Sequence, residues 1–164
     1  MNKRKFSQKV FIDANFLIAY WIPHHEFHNA AKKKMFELIA NNSLLFLDWL
    51  IIDEVWYKIW HLLKNESLSE GKAFKNFFEN FKKILDFIEK SSYIQIIQFR
   101  NNLIQKCYEA LFNVKKYNLR PHDAFHLAII KDHQISILVT KDSDFLRESN
   151  KTRLEKEGIK VIDF

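Results

Sequence analysis

Short apolar segments alternate with longer helical patterns along the whole chain, and this alternation restricts the fold more than any other feature. The apolar segments predict five strands, at Val10 to Ile12, Leu44 to Leu47, Ile94 to Gln98, Ile135 to Val139 and Lys160 to Ile162. Strands that are separated by helices usually become parallel neighbours joined by crossover connections. We therefore predict an α/β protein, a three-layer α/β/α sandwich with a parallel sheet in which the first strand is central.

An amphipathic helix is predicted between the second and third strands. Its apolar residues follow the i, i+3, i+4 spacing, at Phe74, Phe77, Phe78, Phe81, Ile84, Leu85 and Ile88. The preceding stretch, Asn65 to Gly71, is expected to connect two helices, with Ser69 as a candidate N-cap. Nothing along the chain marks a domain boundary, so residues 1–164 are predicted to form one domain.

The composition agrees with one folded domain and excludes several classes of protein. Of the 164 residues, 48% are hydrophobic and 15% are aromatic, which can fill a substantial core. Two glycines leave no glycine-rich phosphate loop. The single cysteine, Cys107, is expected to be a small buried apolar group in a helix, which suits a reducing cytoplasm. No apolar run approaches the length of a membrane span, so we expect a cytoplasmic protein.

Acidic residues stand where predicted strands end or where the following helices begin. Asp13 follows the first strand, Glu54 lies after the second, Asp123 begins a helix, and Asp142 and Asp144 follow the fourth strand. Such positions lie where α/β folds bind ligands. Carboxylates that converge there repel one another unless a divalent cation holds them together, so the pattern indicates a Mg²⁺ or Mn²⁺ site.

Each of these acids also has a purely structural alternative. Asp13 could form a local turn at the strand end, Asp123 could complement the dipole of its helix, and Asp142 could cap a helical turn. The spacing also leaves open whether Glu54 or its neighbour Asp53 faces inward. The metal-site hypothesis therefore depends on the set of acids and not on any one member.

Four segments resemble, in order and spacing, the acidic motifs of PIN-domain nucleases. They are Val10 to Asn15, Asp53 to Val55, Pro121 to Ala128 and Val139 to Phe145. Within that family the chain is most similar to the compact VapC-like toxin ribonucleases of prokaryotic toxin-antitoxin pairs. The resemblance implies a metal-dependent endoribonuclease that hydrolyses RNA phosphodiester bonds and leaves a 5′-phosphate and a 3′-hydroxyl.

The resemblance also implies roles for individual residues. The catalytic acids that bind Mg²⁺ or Mn²⁺ would be Asp13, Glu54, Asp123 and Asp142, with Glu54 preferred to Asp53. The remaining implied residues are Asp144 as a further metal ligand, and Asn15 and Thr140 as auxiliary residues. The chain departs from the family pattern at Asp48 and Trp49, where a small hydroxyl residue is common.

Several basic residues and histidines are further candidates for the site. A net charge of +6 slightly favours an anionic partner. Lys116, Arg120 and Lys141 lie near the acidic motifs and could hold phosphates of single-stranded or looped RNA, or be ordinary surface charge. Zinc is disfavoured because no cysteine completes either histidine group, at positions 24, 25 and 28 or at 122 and 126. His126 is expected to pack within its helix.

Aromatic residues suggest protein partners. Trp49, Trp56 and Trp60 fall near one face of a helix, and we expect at least two of them to fill the core. With the Phe74 to Ile88 helix they supply more aromatic surface than a small sheet needs, so we expect a homodimer that buries part of it. The family resemblance implies an antitoxin bound close to Glu54. The alternatives are an RNA-processing PIN nuclease without an antitoxin and a non-catalytic RNA-binding PIN domain.

Overall fold

A computed structural model describes residues 6–65, 70–100 and 102–164. In these residues the order of elements is β1 (Gln8–Ile12), α1 (Ala14–Trp21), α2 (His28–Ala40), β2 (Ser43–Asp48), α3 (Trp49–Asn65), α4 (Glu70–Lys90), β3 (Ile94–Ile97), α5 (Leu103–Tyr117), α6 (Pro121–Asp132), β4 (Ile137–Val139), α7 (Ser143–Leu146), α8 (Glu148–Lys156) and β5 (Lys160–Ile162). Every predicted strand is present, with ends no more than two residues from those expected. Ser69, the candidate N-cap, lies outside the described residues.

The five strands form one parallel sheet in the order β3-β2-β1-β4-β5. The predicted α/β fold with a parallel sheet and a central first strand is therefore confirmed. Beyond β1 the chain moves outward through β2 and β3, then returns to β4 on the other side of β1. This reversal creates a crevice at the carboxyl ends of β1 and β4, where open α/β sheets bind ligands.

The helices cover the sheet in two groups. Helices α1 to α4 connect the strands on the β3 side and pack against one another, whereas α5 packs on α6 and α7 on α8. Because parallel crossovers are right-handed, connections that run in opposite directions along the sheet lie on opposite faces. Between the layers, the Val10, Phe11 and Ile12 side chains of β1 are fully buried. None of the helices in the described residues has the length and apolar content needed to cross a membrane.

Helix α4 has the predicted amphipathic character. Its residues Phe77, Phe81, Ile84 and Ile88 are buried, whereas Phe74 and Phe78 are exposed. The expectation that two of the three tryptophans on α3 fill the core was wrong. Trp49 is 59% exposed, and Trp56 is 51% exposed although its ring packs on Phe77 and Phe81. Of the three, it is Trp60 that is partly buried against the core. The reason is that smaller residues of α3, Ile51, Val55 and Ile59, already fill the inner face of this helix.

Helix α5 also differs from its expected orientation. It turns Ala110, Asn113 and Tyr117 inward against α6, so that Cys107 is only half-buried. The opposite side of α5 presents large apolar side chains to solvent, which are Leu103, Ile104, Tyr108, Leu111 and Phe112. We call these five residues the α5 face.

Candidate active site

A cavity of about 760 Å³ opens at the carboxyl edge of the sheet, at the crevice beside β1 and β4. Its walls include all four acids that the motifs pointed to, which are Asp13, Glu54, Asp123 and Asp142. Asn15 and Arg120 also line it. The fold therefore brings together carboxylates that are separated by up to 129 positions in the sequence.

Asp13 is fixed by hydrogen bonds at both carboxylate oxygens. It is the N-cap of α1, and its Oδ1 accepts a 2.7 Å bond from the backbone N–H of Ala14. Its Oδ2 accepts a 2.5 Å bond from the hydroxyl of Thr140, a fully buried residue directly after β4. The Thr140 hydroxyl oxygen in turn accepts the backbone N–H of Asp142 at 2.8 Å. Burial raises the pKa of Asp13 despite these bonds and the nearby charge of His126.

Asp142 and Asp144 lie at the start of the short helix α7. Asp142 is its N-cap, and Oδ1 accepts the backbone N–H of Asp144 at 2.7 Å. Asp144 pairs with the guanidinium of Arg147, while Nε of Arg120 lies 3.6 Å from its other oxygen. One oxygen each from Asp123, Asp142 and Asp144 lie within 4.8 Å of one another, a separation that one cation can bridge.

Asp123, in the first turn of α6, carries a buried carboxylate oxygen. Its Oδ2 has no hydrogen-bond partner among the described residues, and neither does the buried Oδ1 of Asn15. Burial, together with the charges of Asp142 and Asp13, raises the pKa of Asp123 to about 7. Buried oxygens without donors normally destabilise a protein, but they are the ligands that a hard divalent cation requires. The oxygens present thus fit a Mg²⁺ or Mn²⁺ ion.

Glu54, and not Asp53, is the acid of α3 that lies beside Asp13. Its Oε1 is 3.3 Å from Nε2 of His126 and 3.1 Å from Nδ1 of His122. Burial by itself would raise the pKa of Glu54, but the hydrogen bonds and charges of the two histidines outweigh it and lower the pKa. Asp53 is exposed and lies on the cavity wall.

The role of His126 could not be read from its sequence position. Its ring is buried as expected, but Nδ1 lies 2.7 Å from Oδ2 of Asp48, the last residue of β2. Burial alone would lower the pKa of His126, whereas the hydrogen bonds to Asp48 and Glu54 raise it to about 10. The ring therefore lies between two carboxylates, with one at each of its nitrogens. The one available signal was the departure of Asp48 from the family pattern.

The basic residues named from the sequence lie in different places. Arg120 lines the cavity, whereas Lys116 and Lys141 do not. Lys116 pairs with Glu157, and Lys141 lies 2.6 Å from Asp163. Lys58, which sequence reasoning missed, is exposed on the cavity wall, four residues after Glu54 on the same helix.

The histidines at positions 24, 25 and 28 do not share one helix. His24 and His25 lie in the turn between α1 and α2, and His28 begins α2. His25 lines the cavity, as does His122. Both are therefore placed to contact a molecule in the cavity, a position that helical spacing alone did not indicate.

Comparisons with known proteins agree on one family. The model of the PIN domain family matches residues 10–150. Ribonuclease VapC6 of Methanocaldococcus jannaschii is 25% identical over 144 residues, which cover 83% of this chain and 90% of that protein.

Two solved structures show the same fold. VapBC2 from Rickettsia felis, bound to a DNA fragment from its promoter, superposes with a TM-score of 0.61 at 15% identity, over 96% of this chain and 99% of that one. VapC20 from Mycobacterium tuberculosis, a toxin that cleaves the sarcin-ricin loop, superposes with a TM-score of 0.56 at 19% identity. The match covers 84% of this chain and 92% of that one.

Proposed function

The chain belongs to the PIN domain family, whose model matches it over residues 10–150, and from this premise we propose that it is a metal-dependent endoribonuclease. We further propose that it acts as the toxin of a toxin-antitoxin pair, because relatives in this fold include a ribonuclease and an RNA-cleaving toxin. One observation supports the catalytic proposal most strongly. Four acids converge on one cavity in which an oxygen of Asp123 is buried without a donor among the described residues.

The proposed cation ligands are Asp13, Glu54, Asp123 and Asp142. Asp144 and Asn15 would supply further oxygens from positions beside Asp142 and Asp13. A bound Mg²⁺ or Mn²⁺ would activate water and stabilise negative charge on the phosphoryl oxygens. The acids hold and orient the cation, so no side chain has to act as the nucleophile.

Other residues of the cavity would position the RNA. Arg120 and Lys58 lie on the cavity wall and come from the two different helical layers. Arg120 is the N-cap of α6, and Lys58 is part of α3. Positive side chains at such places can bind the phosphates that flank the scissile bond. Thr140 acts on the substrate only indirectly, by fixing the carboxylate of Asp13.

Cleavage of a mixed pool of single-stranded RNA tests this function. The purified protein is incubated with Mg²⁺, with Mn²⁺ or with EDTA, and the product ends are mapped. We expect 5′-phosphate and 3′-hydroxyl ends with either metal, no cleavage in EDTA, and none by Asp13→Asn, which removes the charge but keeps the shape. Cleavage by Asp13→Asn would contradict the proposal. RNA binding without cleavage in both metals would indicate a non-catalytic RNA-binding protein instead.

An antitoxin would bind an exposed aromatic surface beside the cavity. This aromatic surface is formed by Trp49, Trp56, Tyr57, Phe74 and Phe78 on α3 and α4. Tyr57 belongs to the surface and also lines the cavity, so a peptide that packs on the aromatic rings can reach the acids with a basic side chain. Such a peptide would exclude RNA from the same site. Stable co-purification with the product of a small reading frame beside the gene tests this proposal.

A second copy of the chain would bind the α5 face. Its five large apolar residues are 59–70% exposed, and contiguous apolar surface of this kind marks contact sites. Sequence reasoning placed the contact between copies on the aromatic residues of α3 and α4. The α5 face lies in the other helical layer, so two copies can pair there while the aromatic surface remains free for the antitoxin.

A further inference from the structure

A buried chain of hydrogen bonds runs from the end of β2 to the cavity. Asp48 and His126 are 0% and 1% exposed, and Oδ2 of Asp48 lies 2.7 Å from Nδ1 of the ring. At the other end of the ring, Nε2 lies 3.3 Å from Oε1 of Glu54. These hydrogen bonds therefore join three elements, β2, α6 and α3, and end at Glu54, a proposed cation ligand.

The first two members of this chain are held rigidly. The other oxygen of Asp48 accepts the backbone N–H of Ile51 at 3.0 Å, in the first turn of α3. The His126 ring lies 5.8 Å from the ring of the fully buried Phe11, measured between centroids. Asp48 and Phe11 thus leave the imidazole one orientation, in which Nε2 points toward Glu54.

Stability alone does not account for these residues. Burying an Asp and a His together costs desolvation free energy that their mutual interaction often fails to recover, and apolar residues of similar size can replace such a pair without loss. The pair at Asp48 and His126 is therefore expected to serve a purpose at the site to which it leads.

We propose that His126, held by Asp48, is a positioning residue that fixes the Glu54 carboxylate as a ligand for a divalent cation. This inference depends on the metal-dependent function proposed above. The Glu54 side chain has three rotatable bonds, and one fixed donor restricts them. Both histidine contacts in the described part of the chain engage Oε1, which leaves Oε2 for the cation. Each ring nitrogen lies within hydrogen-bond distance of a carboxylate oxygen, so the ring connects Glu54 to the buried Asp48.

Two substitutions of His126 distinguish the contact that its Nδ1 makes with Asp48 from the contact that its Nε2 makes with Glu54. His126→Gln can place an amide N–H near the position of Nε2, where it reaches Glu54, whereas His126→Asn can reach only Asp48. Mn²⁺ affinity is measured by calorimetry on the full chain, and the melting temperature is recorded for each variant. We expect His126→Gln to bind Mn²⁺ within about threefold of the wild type and His126→Asn to lose about tenfold or more, the usual range for groups that orient ligands.

A purely structural role predicts another ranking. It makes the Asn variant at least as good as the Gln variant, because Asn keeps a hydrogen-bond partner for the buried side chain of Asp48. Equal affinities, or greater loss in the Gln variant, would therefore overturn the inference. His133→Gln is the matched control, since His133 is also buried and bonds the carbonyl of Gln98 at 2.7 Å, but does not line the cavity. Its affinity should equal that of the wild type.

A third variant keeps the test decisive if either substitution at position 126 unfolds the protein. Asp48→Ala leaves Nδ1 of the ring without a partner at position 48, whereas Asp48→Asn could still hold the ring by donating its amide N–H to Nδ1. For Asp48→Ala we expect about a tenfold loss of Mn²⁺ affinity, and unchanged affinity would refute the inference. Failure of the wild type to bind Mn²⁺ in a manner abolished by Asp13→Asn would instead overturn the metal-dependent function, and this inference with it.

Discussion

Neutralising Asp123 should stabilise the metal-free protein. The pKa of this carboxyl is raised from an ordinary 3.8 to about 7 because it is buried among other acids. At pH above 7 the folded protein must therefore hold a charge that the unfolded chain carries at no cost. The shift corresponds to about 4 kcal/mol of destabilisation, and solvent in the open cavity should screen this to about 2 kcal/mol. Asp123→Asn removes the charge and keeps the shape.

The sign of the pH dependence follows from the direction of the shift. Near pH 4 the folded carboxyl is protonated and the unfolded one is about 40% protonated, so the stabilities of the variant and the wild type should differ by no more than about 0.6 kcal/mol. The difference in the free energy of unfolding that favours Asp123→Asn should grow as the pH rises from 4 to 7 and should be constant above pH 7. At pH 8 in EDTA the melting temperature of the variant should be higher by about 4–8 °C.

Thermal unfolding at pH 4 and pH 8, with EDTA or with excess Mg²⁺, measures this effect. Mg²⁺ should raise the melting temperature of the wild type more than that of the variant, because binding to the folded state alone stabilises it. Asp53→Asn, the same chemical change at an exposed position on the cavity wall, is the control and should alter stability by less than about 0.5 kcal/mol. An Asp123→Asn protein that is less stable than the wild type at pH 8, or a difference independent of pH, would refute the reasoning.

Two other predictions address the site and the surfaces. Glu54→Gln should lower RNA cleavage by more than about tenfold, whereas Asp53→Asn should have a much smaller effect, and the reverse order in a cleavage assay would show that Asp53 is the ligand. Phe112→Ala should convert the expected dimer to monomers in sedimentation measurements, while Trp56→Ala and the surface control Lys32→Ala should not. Dissociation by Trp56→Ala alone would place the contact between copies on the aromatic surface.

Much of the fold could be predicted because its determinants are local. The apolar run Val10 to Ile12 is short, lies before a helical pattern and is fully buried, so its position at the sheet centre follows from simple rules. It is harder to predict which side of a helix faces the core when apolar residues occur on every side of that helix. On α3, at least two of Trp49, Trp56 and Trp60 were expected to fill the core, but the smaller Val55 and Ile59 are buried there instead.

The candidate site was predictable to the extent that it depends on strand ends. Asp13 directly follows β1, and Asp142 lies shortly after β4. Because these two strands are adjacent and parallel, the convergence of the two acids follows from the topology of the sheet. The contact of Asp48 with His126 joins residues 78 positions apart and depends on how α6 packs over β2, which no local pattern specifies. The position of Lys116 was also not specified by the local sequence: it is close to Arg120 along the chain, but it does not line the cavity.

The central claim is that the converging acids bind a divalent cation, and the anomalous scattering of Mn²⁺ in a crystal of the protein tests it most directly. The account predicts an anomalous peak in the cavity, bound by oxygens of the proposed ligands Asp13, Glu54, Asp123 and Asp142 at about 2.2 Å, within the range for hard cations and oxygen ligands. The peak should be absent in Asp13→Asn crystals grown in the same solution. A wild-type cavity without Mn²⁺ at millimolar concentration, or an ion bound only elsewhere on the protein, would contradict the account.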